Sequence, residues 1–103
     1  MIRVGAWEKV MDVGNFKFGH LASRVFDQLP VRDQIEVTER LTMLQGLSRA
    51  KWSAKGIRKI PNEPIYLFRV NKSLRAFLRV VDGEQPEVLD IVRQELLDYM
   101  ANS

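Results

Sequence analysis

Apolar side chains recur at three- and four-residue steps from Phe18 through Leu21, Ala22, Val25 and Phe26 to Leu29. That period is one face of an α-helix. It predicts a helix beginning near Asn15, a side chain suited to an N-cap, and ending at Pro30. A second helix is predicted from the region of Val31 to Asp33 as far as about Leu47. Ile35, Thr38, Leu41, Thr42 and Leu44 point toward its partner, and Gly46 lies near its C-terminus. The two read as an antiparallel helical hairpin. Ahead of them, Met1 to Gly14 is weakly patterned: Trp7, Lys9, Met11 and Val13 alternate with Glu8, Val10 and Asp12, as an edge strand would.

After a basic connection from Ser48 to Glu63 the period changes to two. Ile65 to Val70 and Leu74 to Val81 are rich in aromatic and β-branched residues, with Asn71-Lys72-Ser73 between them as a hairpin loop. Asp82-Gly83-Glu84 reads as a second turn and Glu87 to Val92 as a third strand. Arg93 to Met100 reads as a short C-terminal helix with Leu96, Leu97 and Met100 on its buried side. The expectation is an α+β fold, an N-terminal helical hairpin packed on an antiparallel β-sheet with a short C-terminal helix. There is no internal repeat, and 103 residues is the size of one domain, so residues 1–103 are read as a single unit.

A three-residue loop at 71–73 sets the hairpin register. Val70 then pairs with Leu74, Arg69 stands opposite Arg75, and Leu67 stands opposite Phe77. A two-residue loop would shift the register and separate the arginines. Along the second strand Leu74, Ala76, Leu78 and Val80 form an apolar side, so Arg75, Phe77, Arg79 and Val81 face the other way. Two like charges directly opposed are destabilising and call for an anionic counterpart. Guanidinium groups around an aromatic ring suit RNA, because arginine binds phosphate and stacks on bases while aromatics stack on unpaired bases. The other reading of the same pattern is an ordinary solvated sheet face, with arginine stems covering apolar surface.

Charge sharpens this picture once it is divided along the chain. Residues 1–47 carry six basic and six acidic side chains and sum to zero. Residues 48–79 carry nine basic ones (Arg49, Lys51, Lys55, Arg58, Lys59, Arg69, Lys72, Arg75 and Arg79) against Glu63 alone, a balance of +8. Residues 80–103 carry Asp82, Glu84, Glu87, Asp90, Glu95 and Asp98 against Arg93, a balance of −5, and the whole chain is +3. The middle third is a candidate footprint for a polyanion or an acidic protein. Its alternative is a basic face neutralised by the acidic tail of the same chain.

Composition removes several chemistries. With no cysteine and one histidine, a cysteine nucleophile is excluded, and structural zinc sites are not assembled from carboxylates alone. No metal or cofactor is expected. His20, beside the first apolar stripe, reads as a boundary or surface residue. No run approaches the ~18 apolar residues of a membrane span, so the expected location is cytoplasmic with no membrane partner. Trp52 reads as an anchor of the connection onto the core, with a base-stacking platform as the alternative, and Met11, Met43 and Met100 read as core fillers.

The ordered series Ile65-Tyr66-Leu67-Phe68-Arg69-Val70, Leu74-Arg75-Ala76-Phe77, Val81-Asp82-Gly83, Val88-Leu89-Asp90-Ile91-Val92-Arg93 and Tyr99 resembles the RelE/ParE toxin superfamily. Leu29-Pro30 resembles the Leu-Pro that often closes the first helix there. The first 14 residues are less like the family, whose first strand usually leads straight into the first helix.

The resemblance implies the toxin of a type II toxin–antitoxin pair, a metal-independent mRNA endoribonuclease that acts on the ribosome, inhibits translation and arrests growth. In such members the ribose 2′-OH attacks the adjacent phosphate. It implies catalytic roles for Arg75, Arg93, Tyr99 and Arg69, and RNA contacts from the basic middle segment: Lys51, Lys55, Arg58, Lys59, Lys72, Arg79 and Phe77. It also implies a cognate antitoxin bound in a hetero-oligomer. Leu67 stands where ribonuclease members often carry a second basic residue, and Leu74 replaces an aromatic that commonly precedes the arginine. No general base is evident. These departures open two alternatives, a ParE-like inhibitor of DNA gyrase and an inactive binding module of the same fold.

Overall fold

The computed structural model describes residues 12–102. Two short strands come first, β1 (Asp12–Val13) and β2 (Phe16–Phe18), then helices α1 (His20–Gln28) and α2 (Val31–Gln45). Two single 3₁₀ turns, Arg49–Lys51 and Ser53–Lys55, lead into β3 (Ile57–Lys59). β4 (Ile65–Arg69), β5 (Leu74–Arg79), β6 (Glu87–Arg93) and α3 (Gln94–Ala101) complete the chain. The six strands make one sheet in the order β1-β2-β6-β5-β4-β3. No helix among the described residues is long and apolar enough to cross a membrane.

The two helices form for the reasons legible in their sequence. Pro30 cannot continue α1 and sets the preceding Leu29 in an extended conformation, with φ −72° and ψ 149°. α2 starts on the next residue and carries Asp33 in its first turn, where a carboxylate complements the helix dipole. The inward stripe of α2 is Val37, Leu41 and Leu44, each 1% exposed, rather than the full set read from the sequence. Leu41 and Leu44 are as expected. Ile35 is 52% exposed, and Thr38 and Thr42 face solvent, where the Thr42 hydroxyl donates to Thr38 O at 2.8 Å. The threonine hydroxyl satisfies itself on its own helix, which leaves the apolar stripe one position away to meet the sheet.

Phe16 and Phe18 bring a larger correction. They are strand residues, 2% and 0% exposed, on β2, and Asn15 lies in the β1–β2 turn instead of capping a helix. Its N–H donates to Gln45 Oε1 at 2.8 Å, while Gly19 is the N-cap of α1. β2 runs parallel to β6, with Lys17 opposite Glu87 and Phe18 opposite Val88, so the sheet is mixed and not purely antiparallel. Phe18 fits a three-step helical stripe and a two-step strand equally well. The edge of β6 decides between them. Phe18 then meets Phe26 of α1 edge to face, with ring centroids 5.5 Å apart.

The core lies between the helical hairpin and one face of the sheet. Phe16, Phe18, Phe68, Leu74, Leu78 and Val88 are buried from the sheet side. Each such side chain contributes about 1.5–3 kcal/mol over its exposed state. Trp52, 7% exposed, anchors the 3₁₀ connection as expected and packs edge to face on Tyr66, centroids 5.4 Å apart. Met43 is half-buried against the core. Of the N-terminal edge-strand reading, Asp12 and Val13 form the edge strand β1, whereas Trp7 and Met11 lie outside the described residues.

The C-terminal helix departs from expectation in its packing. Leu96 and Met100 are 48% and 60% exposed and Leu97 is half-buried, so α3 does not bury the three together. It follows β6 directly, and the charge of its Asp98 acts on Arg75.

Candidate functional site

β5 alternates strictly. Leu74, Ala76 and Leu78 are buried under the helices, and Arg75, Phe77 and Arg79 stand half-buried on the face that α1 and α2 leave open. The register across the sheet orders this face into rows. Arg69 faces Arg75, which faces Val92; Arg58 faces Leu67, which faces Phe77 and then Asp90; and Ile65 faces Arg79, which faces Glu87. The Arg69–Arg75 and Leu67–Phe77 pairs and the Val70–Leu74 closure are those the three-residue loop predicts, with Val70 N donating to Leu74 O at 3.0 Å. A register shift between Phe77 and Leu78 restores the alternation of β6 beyond Asp90.

Two like charges stand opposed at Arg69 and Arg75, and the hairpin compensates locally. Arg75 Nη1 donates to Asn71 O at 2.7 Å and Leu74 O at 3.0 Å, carbonyls of its own loop. Burial, then the charge of Arg69, lowers the Arg75 pKa from the usual guanidinium value, and Asp98 of α3 offsets part of that. An arginine so placed stays charged at neutral pH, because its ordinary value lies far above it. Asn71 holds the loop in turn. Its Oδ1 accepts from Ser73 N at 2.8 Å and Leu74 N at 2.9 Å. Its Nδ2 donates to Glu36 Oε1 at 2.7 Å and Asp33 Oδ1 at 3.3 Å on α2.

The residues expected to be catalytic are only partly brought together. Arg69 and Arg75 share the open face, but Arg93 pairs with Leu74 in the ladder and therefore belongs to the opposite face. It lies 3.7 Å from Asp33 Oδ2 as an ion pair. All three sit at one end of the sheet, where Lys72, Ser73, Arg93, Gln94, Glu95 and Asp98 surround a hollow of about 340 Å³. Tyr99 is on α3 and 73% exposed, next to Asp98, whose Oδ1 accepts from Gln94 Nε2 at 2.6 Å.

Of the residues expected to contact RNA, Arg58, Phe77 and Arg79 lie on the open face with Arg69 and Arg75. Arg79 is tied to Glu84 at 3.0 Å. Lys59, exposed on the edge strand β3, donates to Glu63 O at 2.9 Å. Lys51 and Lys55 are exposed on the 3₁₀ connection and Lys72 at the hairpin tip. His20 is exposed at the start of α1, as read from the sequence.

Acid from the C-terminal third does reach the basic segment. Glu84 pairs with Arg79, Asp82 with Arg49 at 2.9 Å, and Asp98 acts on Arg75. Burial lowers the Arg49 pKa, but neighbouring Tyr66 and Asp82 more than offset this and raise it overall. Arg58 and Arg69 form no ion pair among the described residues. The open face thus keeps uncompensated arginines at its β3–β4 side and is partly neutralised along β5. Sequence reasoning passed over Asn71 and Asp98. The Asn-Lys-Ser loop was a signal for Asn71, since asparagine caps its own turn, but nothing local marks Asp98. Among the described residues no group of three or more His, Asp or Glu side chains is placed to hold a metal ion. Comparison with family models, curated proteins and solved structures finds no match to this chain.

Proposed function

We propose that this chain is the toxin of a toxin–antitoxin pair, of the RelE/ParE kind, and that it cleaves mRNA at the ribosome without a metal. The observation that carries the reading is the Arg69–Arg75 pair on the open sheet face, one row from Phe77. Order of elements supports it too: a strand leads through Gly19 straight into the first helix, and a helical hairpin precedes a meander and a final helix. Arg69, free of carboxylates, receives the scissile phosphate, and Arg75 adds a preoriented charge held by loop carbonyls. The ribose 2′-oxygen attacks phosphorus as its proton leaves, and the 5′-oxygen departs with a proton, giving a 2′,3′-cyclic phosphate and a 5′-hydroxyl. Phe77 stacks a base, and Asp98 is the carboxylate nearest to Arg75 in effect, so it and the exposed Tyr99 are the candidates for proton transfer. An acidic, amphipathic antitoxin segment covers the basic face in the resting state.

A second reading has its own observation. The Arg75 guanidinium is bonded to its own loop, which suits a face that binds without cutting, as in a gyrase-directed toxin or a binding module. Expression in bacteria with mapping of transcript ends separates the readings. Cleaved mRNA is expected, abolished by Arg69→Ala. Intact transcripts at a growth-arresting dose would overturn the nuclease, a DNA-damage response would move the target to gyrase, and unaffected growth would leave a binding module.

A further inference from the structure

We propose that one row of the open sheet face, Arg58–Leu67–Phe77–Asp90, reads guanine in single-stranded RNA. This reading rests on the open face being an RNA surface, as proposed above, and holds whether or not the RNA is cut. Arg58 on β3 stands opposite Leu67 on β4, Leu67 opposite Phe77 on β5, and Phe77 opposite Asp90 on β6. Opposed residues share a face, so the four side chains stand in a line across four strands. Neighbouring strands lie about 4.8 Å apart, which makes the line about 14 Å long. Its middle is apolar and its two ends carry opposite charge. Leu67 and Phe77 are half-buried and offer a platform to the face of one base. Arg75 and Arg79, two residues to either side of Phe77 on β5, carry the cations for flanking phosphates.

Asp90 is the unusual member. It is half-buried on a face that carries Arg58, Arg69, Arg75 and Arg79, yet it forms no ion pair among the described residues. Its Oδ1 accepts instead from the main-chain N–H of Ile91 at 2.8 Å, which holds the carboxylate against its own strand. Capping that N–H accounts for one oxygen. Among the described residues Oδ2 meets no protein donor. Arg58, exposed at the other end of the row, forms no ion pair either.

The identity of the base follows from the two ends. An ionised carboxylate only accepts hydrogen bonds and a guanidinium only donates them. Guanine answers both. Its N1–H and N2 amino group are adjacent donors on the Watson–Crick edge, and O6 and N7 are adjacent acceptors on the next edge, the pair that an arginine fork grips. Adenine and cytosine set a ring acceptor beside their amino group, and uracil sets a carbonyl on each side of N3–H. Each of these turns a lone pair toward Asp90, so the row repels the wrong base as well as holding the right one.

Fluorescence anisotropy of the full chain with a labelled oligouridylate carrying one central test nucleotide, at fixed salt, tests the row. Guanosine at the centre is expected to bind about ten-fold more tightly than adenosine, cytidine or uridine, the effect of one bidentate pair. Inosine lacks only the N2 amino group and 7-deazaguanosine lacks only N7, so each should lose part of the preference without any change to the protein. Asp90→Asn keeps an oxygen to accept from the Ile91 N–H and therefore keeps the fold, which an unchanged thermal transition checks. That variant should bind guanosine no better than adenosine and should no longer distinguish guanosine from inosine. Equal affinity for the four nucleotides in the parent, failure of all of them to bind, or an undiminished guanosine preference in Asp90→Asn would overturn the proposal. Cleavage is read nowhere in the assay. Intact transcripts in the cell with a guanosine preference in binding would remove the nuclease and keep the row, and cleaved transcripts with equal affinities would do the reverse.

Discussion

Arg69 and Arg75 face one another across the β4–β5 ladder, and only Arg75 is bonded to the hairpin's main chain. Arg75 bonds the loop carbonyls of Asn71 and Leu74, whereas Arg69 is exposed and contributes no side-chain hydrogen bond of its own to that loop. Two residues that look equivalent by sequence therefore divide into a structural cation and a free one.

Arg69→Ala is accordingly expected to leave the unfolding free energy unchanged or raise it by up to about 0.5 kcal/mol, since removing one of two opposed like charges relieves repulsion. Arg75→Ala is expected to lower it by about 1–2 kcal/mol through the lost charge-assisted bonds. Urea denaturation of the two variants, read beside their growth effect, checks the division. A larger loss of stability in Arg69→Ala than in Arg75→Ala would contradict it.

Asn71 joins the hairpin loop to α2 through both ends of its amide. Asn71→Ala is expected to cost about 2–3 kcal/mol, several hydrogen bonds at once. Asn71→Asp sets a carboxylate against Asp33 and Glu36 and is expected to cost more at neutral pH. Mutual repulsion raises the pKa of the group in the folded state. The excess cost is therefore present above that value and is lost as pH falls through it. Chemical denaturation at pH 7 and again at pH 4 tests both statements, and a pH-independent gap between the two variants would refute the second.

A leucine of the sheet and one of the C-terminal helix differ sharply in burial. Leu78 is 0% exposed and Leu96 on α3 is 48% exposed. Leu78→Ala is expected to destabilise by about 3–5 kcal/mol and Leu96→Ala by less than about 1 kcal/mol. Thermal unfolding of the pair measures this directly. Equal losses would mean that α3 packs far more tightly than its exposure allows.

Gly83 turns the chain between β5 and β6 at φ +84°, with nothing within 4 Å of the position a Cβ would take. Gly83→Ala is therefore expected to cost about 1 kcal/mol from backbone strain alone, and Gly83→Asn less, because asparagine tolerates the left-handed region better. Denaturant midpoints of the two variants decide the matter. A cost for alanine well beyond this would mean that the turn meets a neighbour after all.

The two helices and their break at Pro30, the β4–β5 register and the burial of Trp52 were all legible in the sequence, because each rests on local physics. Proline stops a helix, loop length sets a register, and alternation separates a pleated surface into two faces. What the chain alone left open were features with distant partners. Phe16 and Phe18 became a strand because β6, some seventy residues later, offered a free edge beside Glu87 and Val88. Arg93 went to the helical face because the ladder paired it with Leu74 and Asp33 of α2 met it there.

By itself, then, the sequence determined an α+β chain with an arginine-bearing hairpin and a charge divided between a basic middle and an acidic end. Only the tertiary structure decided which arginines share a face and which are answered by acid. The physical reason is range. Backbone preferences act over a few residues, whereas a side chain's electrostatic surroundings depend on whichever elements the packing of the core brings beside it.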